Sequence, residues 1–515
     1  MMARRLLLVL QDQLLRDSNL LRGADAESDV VVMAELGAEH RRLPFHKRRI
    51  ALILAAMRHF REDVRDSGLE VDYQHIDDDD RPQDLRSWLQ HTIEKHEASE
   101  VRVLQPGDHR QQTAIEEACS EAAISLKTLK DGHFISSLDY FREWASGRKR
   151  LTLEYFYRQL RRDHDVLLHD DEPVGGDWNY DDQNRESFSS DGPGLLPAQP
   201  QFPIDTITEE VLATVEEHFP DHPGALDDFD LPVTPSQASE TLTDFIANRL
   251  PSFGTYQDAM WMDEPFLYHS RLSASLNLHL LDPMDSVRSA ENAYRNNAAP
   301  LNAVEGFIRQ ILGWREFVRG IYFYAGEEYG EHNALDARED LPEFFWTAET
   351  EMTCIRQTVS QIQQHAYAHH IQRLMVTGLF SLLYGADPAQ FDDWHMAMYL
   401  DAWPWVSAPN TIGMSQYADG GLVATKPYIA SGKYMNRMSN YCQHCPYDPD
   451  KATGDDACPF TTMYWDFLMR HEEELSDNRR MNFQLANLRR KDAQKQNAIR
   501  SQAETVRDRA RRNSL

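Results

Sequence analysis

Four cysteines in the C-terminal half of the chain have the spacing of a metal-binding site. Cys354, Cys442, Cys445 and Cys458 follow the pattern C-x87-C-x2-C-x12-C. Thiolate sulfur is a soft ligand that suits both zinc and iron–sulfur clusters. The spacing alone therefore leaves a structural zinc ion and an iron–sulfur cluster open as alternatives. Cys119, the remaining cysteine, stands alone on a predicted helix, where we expect it to be a core residue.

A run of histidines is the second group that could do chemistry. In the segment His365-x3-His369-His370, a continuous helix would place His365 and His369 on one face, where the pair could hold a metal ion. No H-E-x-x-H pattern and no carboxylate partner accompany them. Adjacent histidines can instead donate and accept protons near neutral pH. Taken alone, the pattern favours ordinary core or solvated histidines.

Charged and hydroxyl side chains flank the histidines. Arg373 follows His370 by three residues and Asp401 lies on the next long segment, so the two could form a buried pair beside a charged cofactor ring. Residues 268–277 (Y-H-S-R-L-S-A-S-L-N) carry hydroxyls and an amide near a helix start, where phosphate groups bind readily. Small polar residues there are also ordinary helix caps, so this pattern by itself is weak.

The elements that must position these residues begin with an alternating pattern. Within about the first 135 residues, strand-like runs at residues 5–10, 30–34, 71–76, 101–104 and 126–129 alternate with helical patterns. This arrangement predicts an α/β domain with a five-stranded parallel sheet, of the Rossmann-like type. Ligands of such sheets bind beyond the carboxyl ends of the strands, where Gln11, Asp12 and Glu35 fall. The first strand lacks a following G-x-G-x-x-G, which disfavours an ordinary dinucleotide site.

The remainder of the chain has a helical pattern. Residues 170–203 are rich in Gly, Pro, Asp and Ser, which marks a long connection, and Trp178 and Arg185 within it could contact a partner. After residue 235 the strand pattern disappears, and segments such as 308–324 and 352–384 keep helical spacing. We therefore predict an α/β domain over residues 1–135, a helical and irregular linker over 136–235, a large all-α domain over 236–475 and a charged helical tail over 476–515.

Length and composition indicate the cellular location to expect for the protein. At 515 residues the chain is long enough for two cores. No apolar run approaches the ~20 residues that a membrane span needs, and no signal-peptide pattern is present. Because the cysteines are few and mostly clustered, a reduced compartment is expected. We predict a cytoplasmic protein with no membrane partner.

The charge distribution bears on nucleic-acid binding. A net charge of −30 argues against such a partner, because affinity for phosphates comes from Lys and Arg. Two segments run against this trend: residues 478–515 contain eleven basic and three acidic residues, and a basic knot is formed by Arg41, Arg42, Lys47, Arg48 and Arg49. The ordinary interpretation of either segment is a solvated helix face. DNA binding would require the basic patches to converge on one face.

Several motifs together resemble one family. S-R-L-S-x-x-L-N at residues 270–277 and G-W-R-E-F at residues 313–317 look like the flavin-binding region of the photolyase and cryptochrome superfamily. D-Q-L after the first strand, M-A-E after the second, H-A-Y-A-H-H-I-Q-R-L, N-T-I-G-M-S-Q-Y-A-D-G-G and the four spaced cysteines are similar to its iron–sulfur bacterial branch, the prokaryotic 6-4 photolyases. The likeness runs from about residue 5 to residue 471.

This resemblance implies three bound groups. It favours a [4Fe-4S] cluster over zinc on Cys354, Cys442, Cys445 and Cys458. It implies a light-harvesting antenna, 6,7-dimethyl-8-ribityllumazine, that contacts Gln11, Asp12, Glu35 and His46. It also implies FAD in the helical domain, with contacts from Tyr256, Ser270, Leu272, Ser273, Asn277, Gln310, Arg315, Arg373, Asp401, Ser407 and Asn410.

The resemblance also implies an activity. It predicts a DNA photolyase that binds UV-damaged DNA as a monomer and repairs the pyrimidine-pyrimidone 6-4 photoproduct in light, the alternative being a cryptochrome-like photoreceptor. His369 and His370 would be catalytic, and Trp346 and Trp394 would relay electrons during photoreduction. The lesion and DNA contacts would be Arg185, Asp258, Met414 and Tyr428, with Mg²⁺ assisting at Asp258.

Two positions depart from the pattern of the resemblance. Ser407, six residues after Asp401, stands where relatives of this branch carry an acidic residue near the flavin. His395 stands where a tyrosine is expected beside the relay residue Trp394. Neither departure removes a cofactor ligand, but both put the protonation and redox behaviour of the flavin in question.

Overall fold

The first region of the chain folds as a parallel sheet. A computed structural model of the protein describes residues 4–78 and 81–515. The strand order is β3-β2-β1-β4-β5, and every pairing is parallel. The bounds are β1 Arg4–Leu8, β2 Asp29–Ala34, β3 Glu70–Gln74, β4 Ala98–Leu104 and β5 Ser125–Leu129. The predicted α/β class and its five strands are confirmed.

Burial on both faces explains the unbroken apolar sequence of the central strands. Successive side chains of a strand point to opposite faces, so Leu7 of β1 joins one core while Leu6 and Leu8 join the other. Leu7 pairs in register with Val31 of β2. Cys119 is buried in the second core, as predicted.

Helices cover both faces of the sheet and lead into the connection. The long apolar helix predicted around residues 50–61 is α2. The connection holds a short two-stranded ladder of β6 Leu168–His169 and β7 Glu172–Pro173 and a 3₁₀ turn at Asp181–Gln183. The helices to this point are α1 Gly37–Arg41, α2 Lys47–Asp66, α3 Leu85–His96, α4 His109–Glu121, α5 Leu138–Ala145, α6 Leu153–Asp163 and α7 Thr206–His218.

From residue 235 onward the described chain contains helices and loops but no strand, as predicted. Three segments are π-helical, with one residue more per turn than an α-helix: π1 Arg309–Arg315, π2 Arg373–Gly378 and π3 Pro409–Ser415. The α-helices up to π3 are α8 Pro235–Asn248, α9 Leu250–Tyr256, α10 Ser273–Asn277, α11 Pro283–Arg295, α12 Leu301–Ile308, α13 Glu316–Ala325, α14 Phe344–Thr347, α15 Thr353–His365, α16 His370–Gln372, α17 Leu379–Tyr384, α18 Pro388–Met398 and α19 Pro404–Ala408.

The C-terminal segment is a set of short helices and one long helix. They are α20 Gly432–Met438, α21 Pro459–Arg470, α22 Glu472–Leu475, α23 Asn482–Arg489 and α24 Ala493–Arg511. Some of its basic residues form ion pairs within the protein: Arg507 binds Asp466, and Arg511 binds Glu339 at 2.6 Å. Helix α24 is therefore docked on the helical region, and it is not a free basic arm.

One helix prediction was wrong. The helix expected over 352–384 breaks after α15, because Ala366 adopts a left-handed conformation with φ 50° and ends it. His365 is the last residue of α15, whereas His369 precedes α16. His365 and His369 therefore do not share a helical face, and the metal pair that this face would have provided is not formed.

The interpretation of the basic knot as a solvated face holds for Arg41 and Arg42, which are exposed, but it was wrong for the other three residues. Lys47, Arg48 and Arg49 are buried where α2 meets the later part of the chain. Lys47 pairs with Glu216 at 2.7 Å, Arg48 pairs with Asp230 at 2.7 Å, and Arg49 donates to a backbone carbonyl at 2.9 Å. These cations stabilise the packing between regions and are not available to DNA phosphates.

Within the described ranges, none of the helices is both long enough and apolar enough to cross a membrane.

Candidate functional site

A cavity inside the helical region brings most of the predicted cofactor contacts together. The cavity has a volume of about 280 Å³. Its wall combines apolar side chains with a few polar groups, as is usual for a small-molecule site. The predicted residues that line it are Ser270, Leu272, Ser273, Asn277, Gln310, Arg315, His369, His370, Arg373, Asp401, Ser407, Asn410 and Met414.

All three π-helical segments contribute to this cavity. π1 supplies Gln310 and Arg315, π2 supplies Arg373, and π3 supplies Asn410 and Met414. The extra residue in a π turn changes the direction of the side chains that follow, and such turns are frequent at functional sites. The three distortions therefore aim polar side chains inward from helices that otherwise pack apolar faces.

A charged pair is held at the cavity wall. Arg373 binds Asp401 through two nearly parallel contacts, Nη1 to Oδ1 at 2.9 Å and Nη2 to Oδ2 at 3.2 Å. Burial acts to raise the pKa of Asp401, but the charge and hydrogen bonds of Arg373 outweigh it and hold that pKa below its usual value. Asn277 donates to the backbone carbonyl of Asp401 at 2.9 Å. The predicted Arg–Asp pair is thus formed and fixed in place.

Arg315 presents hydrogen-bond donors to the same cavity. Its Nη1 donates to Glu316 at 2.9 Å, and its guanidinium lies over the ring of Phe134 at 4.3 Å. Nε and Nη2 are buried and have no partner in the part of the chain that the structure describes. A buried guanidinium with two unsatisfied donors is costly unless an acceptor binds there. The cavity is therefore prepared for an anionic or strongly polar group.

The two predicted catalytic histidines lie at the cavity with a third that sequence reasoning had not assigned. His369 stacks on His269, with ring centroids 4.4 Å apart and planes 8° apart. Burial lowers the pKa of His269 to about 3 and that of His370 to about 4, and the pKa of His369 lies well below its usual value for the same reason. All three imidazoles are accordingly neutral at pH 7.

One of the two predicted relay tryptophans, Trp394, is connected to the cavity through another aromatic ring. Trp394 is fully buried behind Phe391, a residue of the cavity wall, with ring centroids 5.8 Å apart. On its other side it meets Phe345 at 5.1 Å and donates to the Phe345 carbonyl at 2.9 Å. Trp346 is the next residue and is partly exposed. Phe391, Trp394 and Phe345 thus form a row of rings that leads away from the cavity.

The four cysteines converge on a second, small cavity. Cys354, Cys442, Cys445 and Cys458 line it together. Gly432 closes one side, because a Cβ at that position would stand 2.7 Å from Cys458 Sγ. Among residues 4–78 and 81–515, no group of three His, Cys, Asp or Glu side chains is placed to hold a single metal ion. The thiols thus surround a common space without closing on one point.

Two of the predicted antenna residues are engaged in structural contacts. Glu35 is fully buried, and its carboxylate accepts from Arg58 Nε at 2.7 Å, from the Tyr73 hydroxyl at 2.7 Å and from the Ile76 backbone at 3.1 Å. His46 caps α2 by accepting from a backbone N–H at 3.1 Å, and its Nε2 lies 2.8 Å from the Gln363 carbonyl. Both side chains already have their hydrogen bonds within the fold.

The other two antenna residues lie where the sheet faces the helical region. Gln11 lines a narrow cleft with Arg49 and Trp403. Asp12 is buried, which raises its pKa to about 7, and its Oδ1 has no hydrogen-bond partner within the described residues. A Cβ on Gly107 would fall between Asp12 and Trp405, 3.0 and 2.9 Å away. Trp405 in turn lies beside Arg315 of the large cavity.

The remaining predicted lesion contacts lie outside the large cavity and cluster around Asp181. Arg185 pairs with Asp181, and Arg309 of π1 reaches the same carboxylate at 3.2 Å. Burial, with the nearby charge of Asp181, raises the pKa of Asp258 to about 6. Tyr428 is exposed on this rim. Tyr256, predicted to contact FAD, does not line the cavity and stacks on Phe188 at 4.7 Å.

Comparison with known proteins identifies the family. A sequence model described as deoxyribodipyrimidine photo-lyase-related protein matches residues 7–231. A (6-4) photolyase of Agrobacterium fabrum is 46% identical over 477 residues, which cover 93% of this chain and 94% of that protein. This chain belongs to the photolyase and cryptochrome superfamily, in the branch of the bacterial (6-4) photolyases.

Solved photolyases and cryptochromes share the fold. A bacterial class III photolyase from Agrobacterium tumefaciens superposes with a TM-score of 0.55 at 17% identity, covering 85% of this chain and 86% of that one. A cryptochrome from Synechocystis gives a TM-score of 0.57 at 12% identity, covering 87% and 89%. Membership of the photolyase and cryptochrome superfamily implies flavin, in the form of FAD, as the cofactor.

Sequence reasoning missed part of the cavity wall of this photolyase family member. The additional lining residues include His269, Arg271, Trp314, Tyr367, Phe391 and Thr411. His269 and Trp314 sit inside motifs that were recognised, so proximity in sequence could have indicated them. Thr411 likewise lies inside the recognised motif that begins at Asn410, whereas Phe391 offered no such signal, because it enters the wall through tertiary packing.

Proposed function

We propose that this protein repairs the pyrimidine-pyrimidone 6-4 photoproduct of UV-damaged DNA in light. The observation that carries the proposal is a single cavity in which the Arg373–Asp401 pair and the donors of Arg315 lie together with His369 and His370. Identity of 46% to a (6-4) photolyase, over nearly the whole of both chains, supports this reading. Light-dependent restoration of the two pyrimidines from a single lesion tests it.

FAD fits the cavity by the chemistry of its donors. Arg315, Ser270 and Ser273 would offer N–H and hydroxyl groups to the pyrophosphate and ribityl part, and the Arg373–Asp401 pair would hold the ring system. Gln310 and Asn410 add amide groups to the same wall. When bound, reduced FAD supplies an electron to the lesion after excitation. The chain itself binds and orients this cofactor and excludes water from it.

His370 and His369 supply the proton chemistry of the proposal. Both face the cavity, and both are neutral at pH 7 because burial lowers their pKa values. A neutral imidazole can still donate its N–H, and the negative charge of bound DNA raises the pKa of a nearby imidazole. His370, whose side chain is exposed whereas that of His369 is buried, is the proposed proton donor to the lesion, and His369, stacked on His269, holds its neighbour in position.

The four-cysteine cavity is the proposed site of a [4Fe-4S] cluster, and this assignment rests on the resemblance to the iron–sulfur branch and on the four thiols that line one space. Four thiols around one shared space, with Gly432 leaving room beside Cys458, suit a larger inorganic group. The cluster would hold the segment between α20 and α21 against α15.

An antenna site on the face of the α/β domain completes the proposed cofactor set. Asp12 and Gln11 provide its polar contacts, and the unsatisfied Asp12 Oδ1 is a ready acceptor for a ribityl hydroxyl of the lumazine. Glu35 and His46 would support this site through the surrounding packing and would not touch the ligand, since their hydrogen bonds are already used. Trp405 lies between this site and Arg315 of the flavin cavity.

DNA would approach the cavity across the rim formed by Arg185, Arg309 and Tyr428. The lesion would be turned out of the duplex into the cavity beside Met414, at a low cost because its stacking is already disrupted. The carboxylates of Asp181 and Asp258 would hold Mg²⁺ together with a DNA phosphate, since this ion needs one or two protein carboxylates and keeps waters otherwise.

In this proposal the protein acts as a monomer in the cytoplasm. Residues 1–135 form the antenna domain, 136–235 the linker, 236–475 the FAD and iron–sulfur domain, and 476–515 the charged tail. A flavin-containing protein that shows blue-light photochemistry but restores no pyrimidines would be a photoreceptor instead. Binding to damaged DNA should weaken steeply with salt, because it depends on displaced counterions.

A further inference from the structure

A carboxylate that contributes to none of the contacts above lies directly behind the cavity wall. Asp392 of α18 accepts a hydrogen bond from the Ser407 hydroxyl at 3.2 Å and another from the Thr411 hydroxyl. Ser407 and Thr411 both line the cavity, whereas Asp392 does not. Burial raises the pKa of Asp392 to about 6, against the lowering effect of the two hydroxyl groups.

Ser407 links this carboxyl group to a histidine. The Ser407 oxygen lies 2.8 Å from Nδ1 of His395, whose ring also lines the cavity. Burial lowers the pKa of His395 to about 3, so the ring is neutral and carries its single proton on either nitrogen. A carboxyl group, a hydroxyl and a neutral imidazole thus form one continuous hydrogen-bonded row that ends at the cavity.

This row has two self-consistent arrangements of its hydrogens. With Asp392 ionised, Ser407 donates to the carboxylate and His395 Nδ1–H donates to Ser407. With Asp392 protonated, the carboxyl donates to Ser407, Ser407 donates to Nδ1 of His395, and the imidazole proton resides on Nε2. The two arrangements differ by one proton, and every member keeps its hydrogen bonds in both.

We infer that Asp392, Ser407 and His395 form a proton relay that stores one proton behind the cavity and delivers it to the bound cofactor through His395. In the delivery step the carboxyl proton passes to Ser407, the Ser407 proton passes to Nδ1, and the Nε2 proton leaves for an acceptor nitrogen or oxygen in the cavity. Asp392 ends ionised, while Ser407 and His395 end neutral. No electron moves within the relay.

The charged and titratable surroundings favour storage at Asp392. Arg42 is the cation whose charge opposes protonation, whereas Asp393 promotes it, and Tyr322 of α13 and Tyr329 of the turn that follows lie close enough to feel the charge of Asp392. His395 is further influenced by Arg373, which disfavours a second proton on its ring. The relay therefore passes a proton through a neutral His395 and does not retain one there.

The inference rests on the proposed flavin cavity and is tested by infrared difference spectroscopy of the flavin-loaded protein before and after reduction by dithionite at pH 5.5. We expect the wild type to lose a protonated-carboxyl C=O band on reduction, and this band to be absent from Asp392→Asn. Asp336→Asn, which changes an exposed carboxyl group paired only with Arg338, should retain the band and its loss.

Blocking the relay beyond the carboxyl group gives a second readout. In His395→Phe and Ser407→Ala we expect the carboxyl band to be present before reduction. After reduction it should disappear at least tenfold more slowly than in the wild type. An unchanged band in the wild type on reduction, or the same loss in Asp392→Asn, would overturn the relay while leaving flavin binding intact. A wild type that binds no flavin would instead overturn the proposed function, and the relay with it.

Discussion

The hydroxyl oxygen of Ser407 lies 2.8 Å from Nδ1 of His395. These are the two positions that the resemblance marked as departures from the expected pattern, and they are partners in one hydrogen bond. Ser407 also donates to the carboxylate of Asp392, which lies one side chain further from the cavity.

His370→Ala should slow repair by roughly 100- to 10,000-fold, the range that a lost general acid or base costs. Flavin content should not change, because the cofactor contacts reside on Arg315, Arg373 and Asp401. Single-turnover repair and the absorbance of released flavin measure the two effects. His169→Ala, an exposed histidine of β6, is the control. Repair that survives in His370→Ala would exclude this residue as the proton donor.

Arg373→Ala should destabilise the protein by about 3–5 kcal/mol and release flavin, because it leaves a mostly buried Asp401 without its partner. The pKa of Asp401 is held below its usual value, so the stabilisation is present above the unfolded-state pKa and is lost as pH falls through the folded one. The difference between variant and wild type should therefore shrink in acid. Urea unfolding at pH 7 and pH 3 measures it.

The matched control for that experiment is Arg338→Ala, which removes an exposed ion pair with Asp336. Exposed pairs contribute little, so its unfolding midpoint and flavin content should equal those of the wild type. A stable, flavin-loaded Arg373→Ala would contradict the role of the pair.

The sheet and the motif residues could be predicted because their signals are local. Apolar runs such as residues 30–34 read as buried strands, and the motifs around Ser270 and Asn277 carry their own spacing. The break at Ala366 could not be predicted, because the apolar spacing of the helix continues across it. Only the left-handed backbone conformation of Ala366 shows that the helix ends there. The π segments were not predicted either, because a single inserted residue has no signature of its own in so short a stretch of sequence.

Among the sequence patterns, the distribution of charged residues was the least reliable guide to the structure. Arg48 looked like part of a surface patch, yet its partner Asp230 is 182 residues away, and pairing with it makes burial possible. Asp392 attracted no notice because it meets Ser407 and Thr411, 15 and 19 residues on, only after α18 packs against π3. Long-range pairing of this kind is decided by the fold and leaves no mark in composition.

Cys354→Ser should lower the iron content of the purified protein, since all four thiols line one cavity. Loss of the cluster should also loosen the segment between α20 and α21, which limited proteolysis would detect. Cys119→Ala, in the separate core of the α/β domain, should retain full iron and serves as the control. Zinc in place of iron in the wild type would contradict the cluster.

Trp394→Phe should slow photoreduction of oxidised flavin by an external donor at least tenfold, because Trp394 lies between Phe391 of the cavity and Phe345. Repair by chemically reduced protein should be unchanged, since that reaction does not use the relay. Transient absorption after a laser pulse separates the two. The control is Trp465→Phe, because Trp465 lies beside Lys491 and belongs to neither ring contact of Trp394. This variant should behave as the wild type. Equal slowing in both variants would argue against a specific relay.

Stimulation of repair by Mg²⁺ should disappear as pH falls through about 6, because burial raises the pKa of Asp258 to that value and the protonated carboxyl cannot bind the ion. Repair rates with and without MgCl₂ between pH 5 and 8 measure this dependence. Asp258→Asn should remove the stimulation at every pH, whereas Asp182→Asn, an exposed neighbour of Asp181, should keep it. Undiminished stimulation at pH 5 would rule out Asp258 as a ligand.

Light-dependent repair is tested most directly by illuminating the reduced, flavin-loaded protein with an oligonucleotide that carries one 6-4 photoproduct and following the lesion by chromatography. We expect light-dependent conversion to two intact pyrimidines, no conversion in the dark, and conversion slowed at least about 100-fold in His370→Ala at equal flavin content. A lesion that stays intact under light, in wild-type protein that binds both flavin and the oligonucleotide, would contradict it.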